Sequence, residues 1–411
     1  MTDAGDGALR PHRRSWGFAA LLASLAMLGP FAVDMYLPAF PAIGAEFGAA
    51  PIALQQTLSV YMFAYAFMML WHGALSDALG RRPIVLGGLC VFALGTLGCA
   101  IAGNIQSLWL FRVLQGLSAG TGLVVGRAII RDRFQGAEAQ RMMSQMTLVF
   151  GVGPALAPIV GGALLNLMGW RAIFWAMLAW TVLMLALCAR MLPETLPAAH
   201  RHALHPRALW RNYHAVVTQP KFILLALVPA LNFCAFFLYI AAAPAFLVGM
   251  LGVSTWGFAW LFIPMIAGIM IGAFASGRLA GRVSPKRTVR VGYLLLALGV
   301  LVNLAVSTFL PPWVPWNVLP IMIYTIGSSL IMPSVTLLLL DLFPTMRGMT
   351  SSLQGFVQFA LGGVIAGTIA PLLAVSLPVM AWGMAAFTAA SFALWLVYQR
   401  RARSTLKEWS P

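Results

Sequence analysis

The chain has 411 residues, of which 61% are hydrophobic and 9% are charged, and its formal net charge is +16. With a mean hydropathy of +0.88, this composition excludes an ordinary soluble globular protein and predicts a polytopic membrane protein. The positive charge does not indicate nucleic-acid binding, because nearly all basic residues lie in alternate connectors between apolar segments, as the positive-inside rule describes. The four cysteines lie within apolar runs without paired spacing, so neither disulfides nor a metal site is predicted.

Apolar segments long enough to cross a bilayer recur along the whole chain. We count twelve, and they begin near Trp16, Ala53, Ile84, Ser107, Gln140, Trp170, Lys221, Thr255, Arg287, Trp316, Thr350 and Leu377. The basic residues lie in the connectors that follow every second segment, whereas the other connectors carry only Arg171. This pattern predicts that both termini are cytoplasmic.

The first apolar segment contains one acid, Asp34, between Pro30 and Pro38. Every other acidic residue lies in a tail, in a connector or at the end of an apolar run. A charge near the bilayer centre costs about 2.5–3.5 kcal/mol on insertion scales, so an intramembrane acid is by default a functional-site hypothesis. Asp34 is therefore a candidate for proton coupling and for substrate binding, and Phe31, one turn earlier, is a candidate binding residue.

The connector after the second segment reads GALSDALGRRP from Gly73 to Pro83. Its glycines permit a tight reversal, and Asp77 can pair with a nearby basic residue or face a helix N-terminus. The stretch resembles the signature of the major facilitator superfamily, which is matched at Gly73, Leu75, Asp77, Gly80, Arg81 and Arg82, with Ala78 in place of the usual basic residue. The resemblance implies a gating role for Gly73, Asp77, Gly80, Arg81 and Arg82.

The fourth segment contains Arg112 within the apolar run LWLFRVLQGLSAG. Arginine stays charged in essentially any environment, so a buried one needs an acid, a cavity or carbonyl partners. The run is similar to a second motif of the superfamily, matched at Arg112, Gln115, Gly116 and Gly120. Since Asp34 and Arg112 both fall in the outward halves of their segments, we predict that they are partners in proton coupling, directly or through water. A purely structural ion pair is the alternative.

The fifth segment contains Gly153, Pro154, Pro158, Gly161 and Gly162. Two prolines and several glycines in so short a run kink a helix and permit close approach to its neighbour. The run resembles a motif of the superfamily's exporters and so implies antiport. Helix packing without any role in antiport is the alternative.

The longest polar connector, 193–220, divides the chain into halves of similar length. The stretch Gly277–Arg287 weakly repeats the Gly73–Pro83 loop, as expected for a duplicated transporter. The predicted fold is thus an all-α membrane protein with 12 transmembrane helices in two six-helix pseudo-symmetric bundles, residues 1–192 and 221–411, joined by the linker. The linker histidines could bind a metal, but a solvated loop is the simpler interpretation; they are His200, His202, His205 and His214.

Three further stretches, 34–41, 131–134 and 169–175, resemble the Bcr/CflA branch of the drug:proton antiporters, which includes chloramphenicol and bicyclomycin exporters. The resemblance implies a proton-coupled exporter of lipophilic drugs in the bacterial inner membrane. Its energy source would be the proton gradient, and no cofactor is expected. The expected partners are lipophilic drugs, protons and the bilayer, with no nucleic acid, and the expected state is a monomer.

Other residues are candidates for lining a drug cavity, because methionine and aromatic side chains suit a promiscuous apolar ligand. They are Met146 and Phe150 in the fifth segment, Asn232, Phe236 and Tyr239 in the seventh, and Gln354 and Gln358 in the eleventh. Ordinary helix packing is an open alternative for each of them.

Two other functional classes can be compared with drug export. A proton-coupled uptake or export carrier for a small polar metabolite would need more polar groups in its cavity than one aspartate and one arginine. A membrane-embedded enzyme is not indicated, because the chain has no His-Glu-x-x-His, no Gly-x-Ser-x-Gly and no paired intramembrane carboxylates.

Overall fold

The computed structural model describes residues 12–201 and 204–407, and nearly all of these are helical. The long helices are α1 (His12–Asp34), α2 (Pro51–Leu79), α3 (Arg81–Ala100), α4 (Ile105–Ala119 and Thr121–Arg133), α5 (Gly136–Met168), α6 (Arg171–Met191), α7 (Pro220–Ala241), α8 (Ala259–Leu279), α9 (Pro285–Phe309), α10 (Val314–Asp341), α11 (Arg347–Val364) and α12 (Leu377–Lys407). Short helical segments are Leu37–Ala39, Phe40–Phe47, Ala198–His200, Pro206–Val217, Pro244–Met250, Thr255–Phe258, Ile365–Ile369 and Ala370–Leu373.

Eleven helical segments among the described residues are long and apolar enough to cross a membrane. The helix α5 supplies the twelfth crossing, because it has 33 residues and its second half, Gly153–Met168, is apolar. At a rise of about 1.5 Å per residue, such a helix is longer than the hydrocarbon core is thick. The predicted all-helical membrane architecture is confirmed.

The first crossing is broken at its middle, and proline explains the position of the break. Pro38 has no N–H to offer the carbonyl group of Asp34, and its ring would clash with that carbonyl in a continuous helix. The helix α1 accordingly ends at Asp34. The chain turns at Met35 and Tyr36 before it becomes helical again. Asp34 therefore lies at a helix break within a membrane crossing.

Successive crossings alternate in direction, so the connectors are divided between two faces. We call the face that carries Arg81 and the 193–220 linker the basic face, and the other the opposite face. The one basic residue at the connectors of the opposite face, Arg171, forms an ion pair of 2.6 Å with Glu46. Trp170 donates a second hydrogen bond of 2.6 Å to the same carboxylate. This contact joins the end of the first crossing to the start of α6 and neutralises Arg171.

The helices α1–α6 pack mainly against one another, and so do α7–α12. The two groups meet where α2 contacts α11 and where α5 contacts α8. Near the opposite face, the amide of Gln56 donates to the carbonyl oxygen of Gly367 and the hydroxyl of Ser59 donates to that of Gly363, both at 2.8 Å. The structure is therefore closed between the two groups on the opposite face.

The linker is not the solvated loop that the sequence suggested. Residues 206–217 form a helix that begins with Pro206 at its first position, where proline is favoured. The hydroxyl of Tyr213 donates to the carbonyl oxygen of Leu70 in α2 at 2.7 Å, and Val216 is fully buried. The predicted loop is wrong for this part, because tertiary contacts stabilise a helix there. The described residues contain no cluster of potential metal ligands, and His202 lies outside them.

Candidate functional site

Asp34 is the acid that the fold buries without a partner. Its side chain is 5% exposed and forms no hydrogen bond or ion pair with any residue that the structure describes. By contrast, five other acids each form an ion pair, namely Glu46, Asp77, Asp132, Glu194 and Asp341. The carboxyl group therefore has no protein partner that a proton or a ligand would have to displace.

Arg112 is fully buried in α4, and carbonyl and aromatic groups surround its guanidinium. One of its terminal nitrogens donates to the carbonyl oxygen of Ala32 at 2.8 Å and to the side-chain oxygen of Gln115 at 2.9 Å. Its central carbon lies 4.3 Å from the ring centre of Tyr61 and 4.8 Å from that of Tyr36. Both rings contribute cation–π attraction, which is stronger in a desolvated site.

The predicted partners Asp34 and Arg112 form no direct ion pair in this structure. Arg112 contacts the backbone of α1 at Ala32, two residues before the acid, and two residues correspond to roughly 200° around a helix. The Tyr61 hydroxyl lies within electrostatic range of both charged groups and donates to the carbonyl oxygen of Gly29 at 2.8 Å. A water-mediated link between the two remains a prediction.

Glycines place α4 close enough for Arg112 to reach α1. A Cβ atom on Gly116 would overlap the carbonyl oxygen of Tyr61, and one on Gly122 would overlap that of Leu25. The helix α4 is thus in backbone contact with α2 on one side and with α1 on the other. Such small residues are what close helix packing in membranes requires.

The glycine–proline run of α5 lies directly against the break in α1. A Cβ atom on Gly161 would overlap the backbone of Met35, the residue after Asp34. Pro154 and Pro158 both lie inside this helix, and proline in a helix interior favours a kink. The next glycine, Gly162, is buried. The sequence predicted a close approach to a neighbouring helix, and the structure places that approach beside the acid.

The gating loop joins three elements at the basic face. Arg81 forms ion pairs with Asp77 and, at 2.9 Å, with Asp132 of α4. Its backbone N–H also donates to Glu194, at the start of the linker, at 3.0 Å. Arg81 therefore connects α2, α4 and the linker, while the gating role of the loop stays a prediction.

The structure also explains why Gly80 and Arg82 occupy their positions in this loop. Gly80 has a φ of 101°, and a Cβ atom there would overlap the carboxylate of Glu194, so only glycine fits. Arg82 donates to the carbonyl oxygen of Ala189 at 2.7 Å and so attaches the loop to α6. Gly73 lies within α2, about two turns before Gly80, so the prediction that it belongs to the tight reversal is wrong because the helix continues to Leu79.

The remaining predicted binding residues form no hydrogen bond with Asp34 among the described side chains, and most of them pack between helices. In the first helix group, Phe31 packs against Gly153 of α5, and Met146 packs against Gly126 of α4. In α7, Asn232 is buried beside Tyr293, Phe236 contacts Phe233 edge-on, and Tyr239 accepts a hydrogen bond of 2.6 Å from Asn303. In α11, Gln354 donates a hydrogen bond of 2.9 Å to Thr336, and Gln358 is half-buried. The side chain of Phe150 lies outside the described residues. Their role in binding stays a prediction.

Sequence reasoning missed the tyrosines of this site. Tyr61 and Tyr65 lie one turn apart in α2, and the ring of Tyr65 contacts that of Phe359 in α11 at 4.4 Å, across the two helix groups. Arg127, a second arginine in the fourth crossing, lies within electrostatic range of Tyr65. The spacing of the tyrosines at i and i+4 was a usable signal, because it puts both rings on one helix face.

We expect Arg112→Lys to lower the melting temperature and the rate of the transport that the sequence resemblance implies. Lysine keeps the charge but has no planar group that can bond Ala32 and Gln115 while it lies between two rings. Each lost hydrogen bond to a charged group costs about 1.5–3 kcal/mol. Arg131→Lys, on the exposed end of α4, is the matched control and should change neither quantity. Wild-type stability and transport in Arg112→Lys would show that the charge alone is sufficient.

The chain is similar to a known protein family and to individual proteins named for drug resistance. The family model described as Major Facilitator Superfamily matches residues 22–367. The chloramphenicol resistance protein of Pseudomonas aeruginosa is 31% identical and covers 89% of this chain and 86% of its own length. The bicyclomycin resistance protein homolog of Haemophilus influenzae is 28% identical and covers 89% of this chain and 91% of its own length.

Solved structures share the fold at lower sequence identity. A bacterial homologue of the human lysosomal transporter Spinster, in an inward-facing and occupied conformation, superimposes with a TM-score of 0.74. The match covers 98% of this chain and 99% of that chain at 19% identity. At this identity the similarity concerns the arrangement of helices alone.

Proposed function

Because this chain belongs to the major facilitator superfamily, we propose that it is a proton-coupled exporter of lipophilic drugs that works by alternating access. The resemblance noted in the sequence motifs is confirmed, and members of this family are transporters and not enzymes. Two relatives named for resistance to chloramphenicol and bicyclomycin support drugs as the substrate class.

The basic face is the cytoplasmic face in this proposal. Basic residues collect at its connectors, whereas the basic residue of the opposite face, Arg171, is neutralised by Glu46. This asymmetry is what the positive-inside rule associates with cytoplasmic loops. The structure is then closed toward the outside, since the hydrogen bonds from Gln56 and Ser59 join the two helix groups there.

The observation that carries the proposal is the unpaired burial of Asp34 at a helix break in mid-membrane. Keeping a charged carboxylate there without a partner costs several kcal/mol. Uptake of a proton removes that cost, and so does an approach of the acid to a cation or a hydrogen-bond donor. The conformation of the α1 break and the protonation of Asp34 are therefore coupled energetically.

The transport cycle follows from this coupling. With the cavity open to the cytoplasm, Asp34 loses its proton and a lipophilic drug binds. The two helix groups then rock so that the opposite face opens, where Asp34 takes up a proton and the drug leaves. The present arrangement, closed outside and with Asp34 unpaired, fits the protonated state before the proton is released inside. The proton gradient supplies the energy, so the cycle needs no cofactor.

Uptake of a labelled drug into inverted membrane vesicles tests the substrate class. We expect vesicles with an acidic interior to accumulate chloramphenicol when they contain the protein, and to lose it when a protonophore collapses the gradient. Vesicles without the protein are the control, and a small sugar tests the polar-metabolite alternative. Accumulation of the sugar but not of the drug would contradict drug export.

A further inference from the structure

A groove of about 580 Å³ lies between α9 and α12, away from the contact between the two helix groups. Its floor contains the buried side chains of Tyr293 and Trp395. Its rims carry apolar side chains that face outward, such as Leu294 and Leu301, each 65% exposed. The groove is therefore open to the side of the bundle, where the bilayer lies.

The groove has the length of one membrane leaflet. On α9 it extends from Arg290 to Leu301, and the eleven steps between these residues, at about 1.5 Å each, span about 16 Å. That is about half of the roughly 30 Å hydrocarbon core. Because Arg290 lies in the second turn after Pro285, the groove begins at the basic face and ends near the midplane.

The end of the groove at the basic face is polar and positive, whereas the rest is largely apolar. Arg290 and Gln399 line this end, and the lining contains no acid. The Arg290 side chain is exposed and forms no ion pair with a described residue. In the floor, the Tyr293 hydroxyl is hydrogen-bonded to that of Ser391 at 2.8 Å. A molecule that fits this lining has an anionic head and an apolar tail.

The groove lies where the second six-helix group is less tightly packed. In the first group, the corresponding helices α3 and α6 contact each other more extensively than α9 and α12 do. A gap of this size costs packing contacts unless something fills it.

We propose that this groove is a specific binding site for an anionic phospholipid of the leaflet at the basic face. Its phosphate would bind Arg290, and one acyl chain would lie over Tyr293, Phe392 and Trp395. Basic pockets between transmembrane helices are known to bind acidic head groups. The proposal does not depend on which substrate the protein transports.

Native mass spectrometry of the delipidated protein tests the site with phosphatidylglycerol and phosphatidylcholine as probes. We expect the wild type to retain one phosphatidylglycerol in preference to phosphatidylcholine. Arg290→Gln should weaken phosphatidylglycerol binding about fivefold, the usual effect of one basic side chain at a membrane surface. Ala297→Trp, which fills the groove, should abolish the binding of both lipids.

Two matched variants separate this site from unspecific effects. Arg278→Gln removes a charge at the same face outside the groove, and Leu298→Trp adds bulk next to Ala297 on the exposed side of α9. Both should bind phosphatidylglycerol within about twofold of the wild type, as expected for surface changes.

Equal binding of the two lipids by the wild type, or unchanged phosphatidylglycerol binding in Arg290→Gln, overturns the proposal. Displacement of the lipid by chloramphenicol would also overturn it, because the groove would then be a drug site.

Discussion

We expect Asp34→Asn to abolish gradient-driven drug accumulation in inverted vesicles, whereas passive drug exchange across the same membranes should continue. Asparagine has nearly the shape of aspartate but cannot release a proton at any working pH, so the protonation step of the cycle is lost. Asparagine mimics the protonated acid and so should weaken drug binding, but exchange of drug without a gradient requires no change of protonation at this position. Radiolabelled chloramphenicol, measured with and without a pH gradient, distinguishes the two activities.

Glu46→Gln is the matched control for this experiment, because Glu46 is the other acid of the same crossing and is paired with Arg171 near the surface. We expect this variant to keep gradient-driven accumulation, although it loses the contact between the first crossing and α6. If Asp34→Asn still accumulated drug at the expense of the gradient, the coupling acid would have to lie elsewhere.

Gly161→Ala is expected to disable transport by displacing the break in α1. A Cβ atom at this position would overlap the backbone of Met35, which cannot move aside as a flexible side chain can. Overpacking of this kind costs about 1–3 kcal/mol. Because Met35 follows Asp34 directly, the displacement also moves the acid. Thermal unfolding in detergent and drug accumulation in vesicles measure the two effects separately.

Gly153→Ala provides the comparison within the same motif. A Cβ atom there would lie 3.2 Å from the terminal methyl group of Met27, a side chain that can shift. We expect its free energy of unfolding to lie within about 0.5 kcal/mol of the wild-type value, and its transport to be nearly normal. Equal loss of transport in both variants would indicate that the motif acts through its overall kink and not through contact with the α1 break.

Local sequence patterns predicted those features that depend on a single segment. Hydropathy gave the twelve crossings, because each crossing must bury its own backbone polar groups in a helix. The position of Asp34 within an apolar segment likewise predicted a functional site at this residue. That α1 ends at this residue follows from the missing N–H of Pro38. The proposed substrate class came from the family resemblance, because hydropathy carries no information about substrates.

Features that depend on rotation and contact between helices could not be predicted in the same way. Arg112 was expected beside Asp34, but its side chain lies between Tyr36 and Tyr61 and contacts the carbonyl group of Ala32 instead. Depth in the membrane can be read from a sequence, whereas the direction in which each helix turns its side chains depends on its neighbours. The same reason explains why most of the aromatic and amide candidates for the cavity pack between helices.

The most direct test of the coupling mechanism is the movement of protons that a drug causes. Inverted vesicles with an acidic interior and a pH-sensitive dye inside should show proton release when chloramphenicol is added to the wild type. The same addition to vesicles with Asp34→Asn should give no release. Proton release of equal size in both would contradict the assignment of Asp34 as the coupling group, and no release in either would contradict drug:proton antiport.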